Sequence, residues 1–149
     1  MRLLSRGPEE TVAFGKRLGN LLKRGDTIRL FGGLGSGKTT FIKGIASALG
    51  IPERNITSAS FTIIAEYEGT LRGCKLPFYH IDLYRIGHAA ELDSIGLEGY
   101  FGKDGISVVE WAERLGEAED SISVTFEVLN GEGREIRIEG IDEENWNHL

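Results

Sequence analysis

The chain has 149 residues, 40% of them apolar and 27% charged, with a formal net charge of −6. That is enough for one domain with a sizeable core, and too acidic a balance to hold a nucleic-acid backbone unaided. Its single cysteine, Cys74, excludes an internal disulfide, and no apolar run approaches the roughly 18 residues of a membrane helix.

In chain order, residues 1–6 are too polar for a secretory leader, so the expected location is cytoplasmic, with no membrane contact. Residues 8–23 predict a first helix. Pro8 suits its first turn, Glu9 and Glu10 complement the dipole, and Lys23 and Arg24 lie at its basic end. Gly25-Asp26 turns into a strand over 27–31. A glycine-rich loop, Gly32 to Thr39, then leads into a helix over 40–49 with Phe41, Ile42, Ile45, Ala46 and Leu49 on one face. Gly50 is the expected residue just past that helix.

Residues 58–67 predict a loop and then a strand, with 76–84 as its antiparallel partner and 68–73 as the turn. Residues 88–95 predict a short helix. Ile106-Ser107-Val108-Val109 is a brief β-branched run suited to a buried central strand. Residues 121–129 and 134–139 alternate apolar and polar side chains around Asn130-Gly131-Glu132-Gly133, which predicts a hairpin. In the polar tail at 141–149, Trp146 is expected to pack a short helix. The expectation is an α/β fold: a single P-loop NTPase-like domain over 1–149, with a mixed parallel and antiparallel sheet flanked by helices.

The loop carries the chemistry. Gly32-Gly33-Leu34-Gly35-Ser36-Gly37-Lys38-Thr39 fits G-x-x-x-x-G-K-[ST] in its strand–loop–helix setting. Polyphosphate needs several backbone N–H groups at close range, and glycines permit that approach. The helix that follows offers its unpaired N–H groups and positive dipole end. Lys38 supplies a mobile charge for the β- and γ-phosphates, and the Thr39 hydroxyl can ligate Mg²⁺. A γ-phosphate centre also needs a metal-side carboxylate and a group to orient water. Two strand ends offer acids, Glu110 after 106–109 and Asp82 after Phe78-Tyr79-His80-Ile81. Glu110 is the expected metal-side group, because its strand is the more apolar. The plainer readings are a surface carboxylate at a strand end for Glu110, and a salt bridge to Arg85 for Asp82. Ser58, Ser60 and Thr62 offer hydroxyls where nucleotide-sensing loops often sit. The three histidines lack metal-ligand spacing.

Taken together, these residues resemble the TsaE family, bacterial ATPases required for making threonylcarbamoyladenosine in tRNA. The resemblance runs from about residue 8 to 138. It rests on the phosphate loop, Ser58-Ala59-Ser60-Phe61-Thr62, His80-Ile81-Asp82-Leu83-Tyr84-Arg85, Val109-Glu110-Trp111 and Gly133-Arg134-Glu135. It implies ATP at Gly35, Ser36, Gly37, Lys38, Thr39 and Thr40, and Mg²⁺ held by Thr39 and Glu110. Asp82 and Thr40 would support hydrolysis with Lys38 and Glu110, Arg134 would lie near the nucleotide's outer side, and Trp111 would sit beside the site. It also implies docking on the TsaD–TsaB transferase assembly, so that tRNA is met only through those partners. The sequence departs from the family pattern at Gly33 (usually Asp), at Ala59 and Ser60 (usually Pro-Thr) and at Ala112 (often Pro).

Two other readings compete. A nucleotide-gated binding module would use loop occupancy to set partner affinity, with incidental hydrolysis. A small-molecule kinase would need a basic lid, but Arg54, Arg72 and Arg85 are scattered. For a GTPase, Asp93-Ser94-Ile95-Gly96 is the one matching motif, and no Asn-Lys-x-Asp base reader occurs.

Overall fold

The computed structural model describes residues 1–57, 64–86, 96, 100, 104–115 and 121–148. Strands β1 (Arg2–Ser5), β2 (Thr27–Phe31), β3 (Ile64–Leu71), β4 (Cys74–Asp82), β5 (Ile106–Glu110), β6 (Ile122–Val128) and β7 (Arg134–Glu139) form one sheet in the order β1-β7-β6-β2-β5-β4-β3. The four inner strands β6, β2, β5 and β4 run parallel, while β1, β7 and β3 pair antiparallel at the flanks. This is the mixed sheet expected. All four parallel strands therefore end at the same edge, where ligands of open α/β sheets sit.

Helices α1 (Pro8–Gly19) and α2 (Lys38–Ala48) pack together against one face. Leu18, Leu22, Phe41, Ile42, Ile45 and Leu49 are sealed there against Ile28, Leu30, Ile106, Val108 and Val124. The opposite face buries a smaller group, Ile81, Leu83, Ile86, Val109 and Ala112. Residues 106–110 are buried throughout, and their side chains alternate between the two faces, as a central parallel strand requires. The two helices touch backbone to backbone. A Cβ added at Gly15 would lie 2.1 Å from the Phe41 carbonyl oxygen, and one at Gly44 would lie 2.1 Å from that of Val12. The short α3 (Glu143–Asn147), capped by the Asp142 side chain, buries Trp146 under Arg17, whose guanidinium carbon lies 4.8 Å from the ring centre.

Several boundaries differ from the sequence expectation. The first helix stops at Gly19 rather than near Lys23. The Asp26 carboxylate accepts the Lys23 N–H at 2.7 Å, and this local turn competes with another helical turn while Leu22 swings into the core. The expected turn at 68–73 is mostly strand. The β3–β4 ladder continues to Leu71 opposite Cys74, and Arg72 and Gly73 make a two-residue turn with φ of 49° and 80°. Gly69 belongs to the strand, and next to it the Thr70 N–H donates to the Leu49 carbonyl at 2.7 Å. The partner strand ends at Asp82, not Tyr84. Strand β1 was not anticipated. The hairpin, the central strand and the tail helix lie where expected, and α2 begins two residues earlier, directly at Lys38. The helix expected at 88–95, the Asp93-to-Gly96 motif apart from Gly96 itself, and Ser58, Ser60 and Thr62 lie outside the described residues.

Candidate functional site

A cleft of about 420 Å³ opens at the carboxyl edge of the parallel strands. Its floor is the glycine-rich loop, residues 32–39. β2 delivers the chain to Gly32, the Ser36 N–H closes a turn on the Gly33 carbonyl at 3.2 Å, and α2 starts at Lys38. Gly37, the residue before the helix, has φ of 105°, a conformation that costs a side-chain-bearing residue about 1–2 kcal/mol. α2 therefore begins at the cleft, with Lys38, Thr39 and Thr40 of its first turn in the wall. The Ser36 hydroxyl is buried with no hydrogen-bond partner among the described residues, so the loop keeps unused polar capacity in its wall.

Two charged residues, Lys38 and Glu110, line this cleft. Lys38 is buried, donating Nζ–H to the Gly32 carbonyl at 2.6 Å, with its ammonium 3.7 Å from the centre of the Trp111 ring. Burial pulls its pKa below the ordinary lysine value, against the opposing pull of Glu110, Glu113 and Asp82. Trp111 reaches that position through a backbone φ of 59°, strained for a bulky residue, and its ring meets that of Tyr84 at 5.0 Å. Glu110, at the end of β5, accepts the Thr39 hydroxyl at Oε1 (3.3 Å), and its Oε2 meets His80 Nε2 at 2.6 Å.

Asp82 ends β4 in direct register with Glu110. Its Oδ1 accepts the Tyr84 N–H at 2.9 Å, and burial raises its pKa although that bond opposes the shift. From the other side, Arg134 at the start of β7 donates to the carbonyls of Gly35 (3.1 Å) and Ser36 (3.2 Å), tying the hairpin to the loop.

The expected loop, strand-end and hairpin residues Gly35, Ser36, Gly37, Lys38, Thr39, Thr40, Asp82, Glu110 and Arg134 line this one cleft, with Trp111 beside them. Ala112, the departure after Glu-Trp, is fully buried and its carbonyl accepts from Arg29. Sequence reasoning missed Pro8, Thr11, Tyr84 and Glu132 as wall residues. It also missed the contact of His80 with Glu110. Strand periodicity carried a signal for that contact, because His80 stands two residues before Asp82 and shares its face. Nothing local marks Pro8 or Thr11, which reach the cleft only through the packing of α1 on α2.

Comparison with known proteins agrees with this architecture. The sequence profile of the family described as "Threonylcarbamoyl adenosine biosynthesis protein TsaE" matches residues 5–136. The tRNA threonylcarbamoyladenosine biosynthesis protein TsaE of Treponema pallidum is 37% identical over 140 residues, covering 93% of this chain and 99% of the relative. That of Bacillus subtilis is 40% identical over 131 residues, covering 87% and 78%. The crystal structure of Bacillus subtilis YdiB superposes with a TM-score of 0.78 at 34% identity, over 99% of this chain and 95% of YdiB. The chain belongs to the TsaE family, which is tied to threonylcarbamoyladenosine biosynthesis in tRNA.

Proposed function

We propose that this protein binds ATP with Mg²⁺ in the cleft and hydrolyses it slowly in the cytoplasm. In this reading the cycle serves tRNA threonylcarbamoyladenosine formation through docking on the TsaD–TsaB assembly. The supporting observation is the convergence of the Lys38 ammonium, the Thr39 hydroxyl and the Glu110 carboxylate at the loop end of one cleft. The donor set fits magnesium: a hydroxyl and a carboxylate, both hard oxygen ligands, leave the remaining positions to phosphate and water. When bound there, Mg²⁺ neutralises charge on the β- and γ-phosphates.

The chain's own groups have separable roles. Loop N–H groups of residues 35–38 and the start of α2 bind phosphate oxygens. Lys38 leaves the Gly32 carbonyl and the Trp111 face for the β- and γ-phosphates, regaining in that anionic setting the solvation it loses by burial. Thr40, in the first turn of α2, adds a hydroxyl to the phosphate end. Asp82, with Oδ1 engaged by Tyr84 N–H, has Oδ2 left to orient the attacking water. Arg134 keeps the loop carbonyls turned away from the phosphates.

Calorimetry with a nonhydrolysable ATP analogue in MgCl₂ is expected to show binding, and the purified chain to release phosphate slowly from ATP. Adding TsaD and TsaB is expected to raise that rate. Phosphate transfer to a small acceptor without any ATPase activity would indicate a kinase instead. Full tRNA modification by hydrolysis-dead variants would favour the gated module.

A further inference from the structure

His80 is fully buried, yet the cleft does not require it as a wall. Its cross-strand neighbours in register, Ala65 on β3 and Val108 on β5, are apolar. Among the described residues, the ring has one polar partner, Glu110 Oε2 at 2.6 Å, and Nδ1 has none. An aliphatic side chain would fill such a strand position without orphaning a nitrogen. The imidazole therefore has a purpose beyond packing.

The geometry points to His80 as a positioning residue for the metal-side carboxylate. A carboxylate turns readily about its last torsion, so a lone glutamate at a strand end presents no fixed oxygen. Here two donors from different elements fix it. Thr39, on the first turn of α2, takes Oε1, and His80, on the neighbouring strand, takes Oε2. Because an ionised carboxylate oxygen only accepts, the hydrogen of this bond sits on Nε2. The bond holds Oε2 inside the sheet and leaves Oε1 to face the loop. Outer-shell histidines and carboxylates orient metal ligands in the same manner elsewhere. The inference rests on the reading of Glu110 as the magnesium-side ligand.

The test measures affinity for a nonhydrolysable ATP analogue by calorimetry across a MgCl₂ series, with no turnover required. In His80→Phe, which keeps a ring but no donor, the Mg²⁺ concentration for half-maximal enhancement is expected to rise about tenfold. Its Mg²⁺-free affinity for the analogue is expected to stay unchanged, which also verifies the fold. His80→Gln, whose amide nitrogen can occupy the place of Nε2, is expected to restore the response to within about threefold, and His80→Asn, whose amide falls short, is not. If His80→Phe fails to fold, the split between Gln and Asn decides, and equal behaviour of those two overturns the inference. An unchanged Mg²⁺ response in His80→Phe, with Glu110→Gln impaired, overturns it alone. An unchanged response in Glu110→Gln overturns the metal reading and the inference with it.

Discussion

At Lys38, the proposed phosphate binding and stability pull in opposite directions. The ammonium is taken out of water, and its depressed pKa means that burial outweighs the attraction of Glu110, Glu113 and Asp82. Between that lowered folded value and the ordinary 10.5, the unfolded chain binds more protons, so stability rises with pH across that alkaline window. At neutral pH the full cost of the buried charge is present. Lys38→Met keeps length and packing while removing the charge. It is expected to weaken ATP binding about 10- to 100-fold, the loss of a charge-assisted phosphate contact. The nucleotide-free protein should nevertheless unfold at a higher temperature than the parent at pH 7, with the difference narrowing as pH climbs through the alkaline window. Calorimetric titration and thermal scans at pH 7 and 10 check both. The charge of this residue was legible from sequence because G-x-x-x-x-G-K-[ST] ties residue type to spacing. Its stowage against Trp111 was not, because that depends on a positive φ at a residue that usually avoids one.

Among elements, the β6–β7 hairpin shows how far pattern reading reaches. Alternation and a glycine-rich turn located both strands, but not the clasp that Arg134 makes with the loop 98 residues away in sequence. Strand β1 carries no legible signal in the sequence, because four residues are too few to show a period. It is held by ladder pairing to β7 and by Arg2 donating to Glu135, both long-range. Pattern reading starts the turn too early, because Gly69 reads as a breaker, whereas in the fold Gly69 lies against Leu49 within the strand and Arg72-Gly73 make the turn. Legibility thus follows contact range: local rules found the loop and the buried strands, and tertiary contacts set the rest. The clasp has its own consequence. Arg134→Ala frees the carbonyls of Gly35 and Ser36 to turn toward the phosphates, so ATP affinity is expected to fall about 3- to 10-fold, the worth of one or two net hydrogen bonds. Arg134→Lys should recover little of this, since an ammonium lacks the fork that reaches two carbonyls. Calorimetry separates the three proteins, and Arg134→Ala, which also loses the bonds to the Gly131 and Gly133 carbonyls, is expected to unfold at a lower temperature than the parent.

Across the whole molecule, the cleft draws on β2 and α2 for the loop, β4 for Asp82, β5 for Glu110 and β7 for Arg134, so its walls come from both halves of the sheet. A ligand held there bridges elements that must separate on unfolding, and it binds only when all are in place. Its binding energy therefore appears as global stability. At a free MgATP concentration 100 times its Kd, linkage contributes about 2.7 kcal/mol. For a domain of 149 residues that is a rise of about 5–10 °C in the unfolding midpoint. The transition should stay single and cooperative, because the ligand ties the parallel core to the flanking hairpin. Differential scanning calorimetry with the nonhydrolysable analogue reads the shift directly. Lys38→Met should abolish most of it, and unmodified tRNA should produce none, because a chain of net charge −6 has little Coulombic attraction for a polyanion without a partner's basic surface. A split transition, with only part of the heat moving upward, would mean that the loop and helix fold apart from the hairpin. A tRNA-induced shift equal to that of the nucleotide would mean that the protein meets its RNA directly.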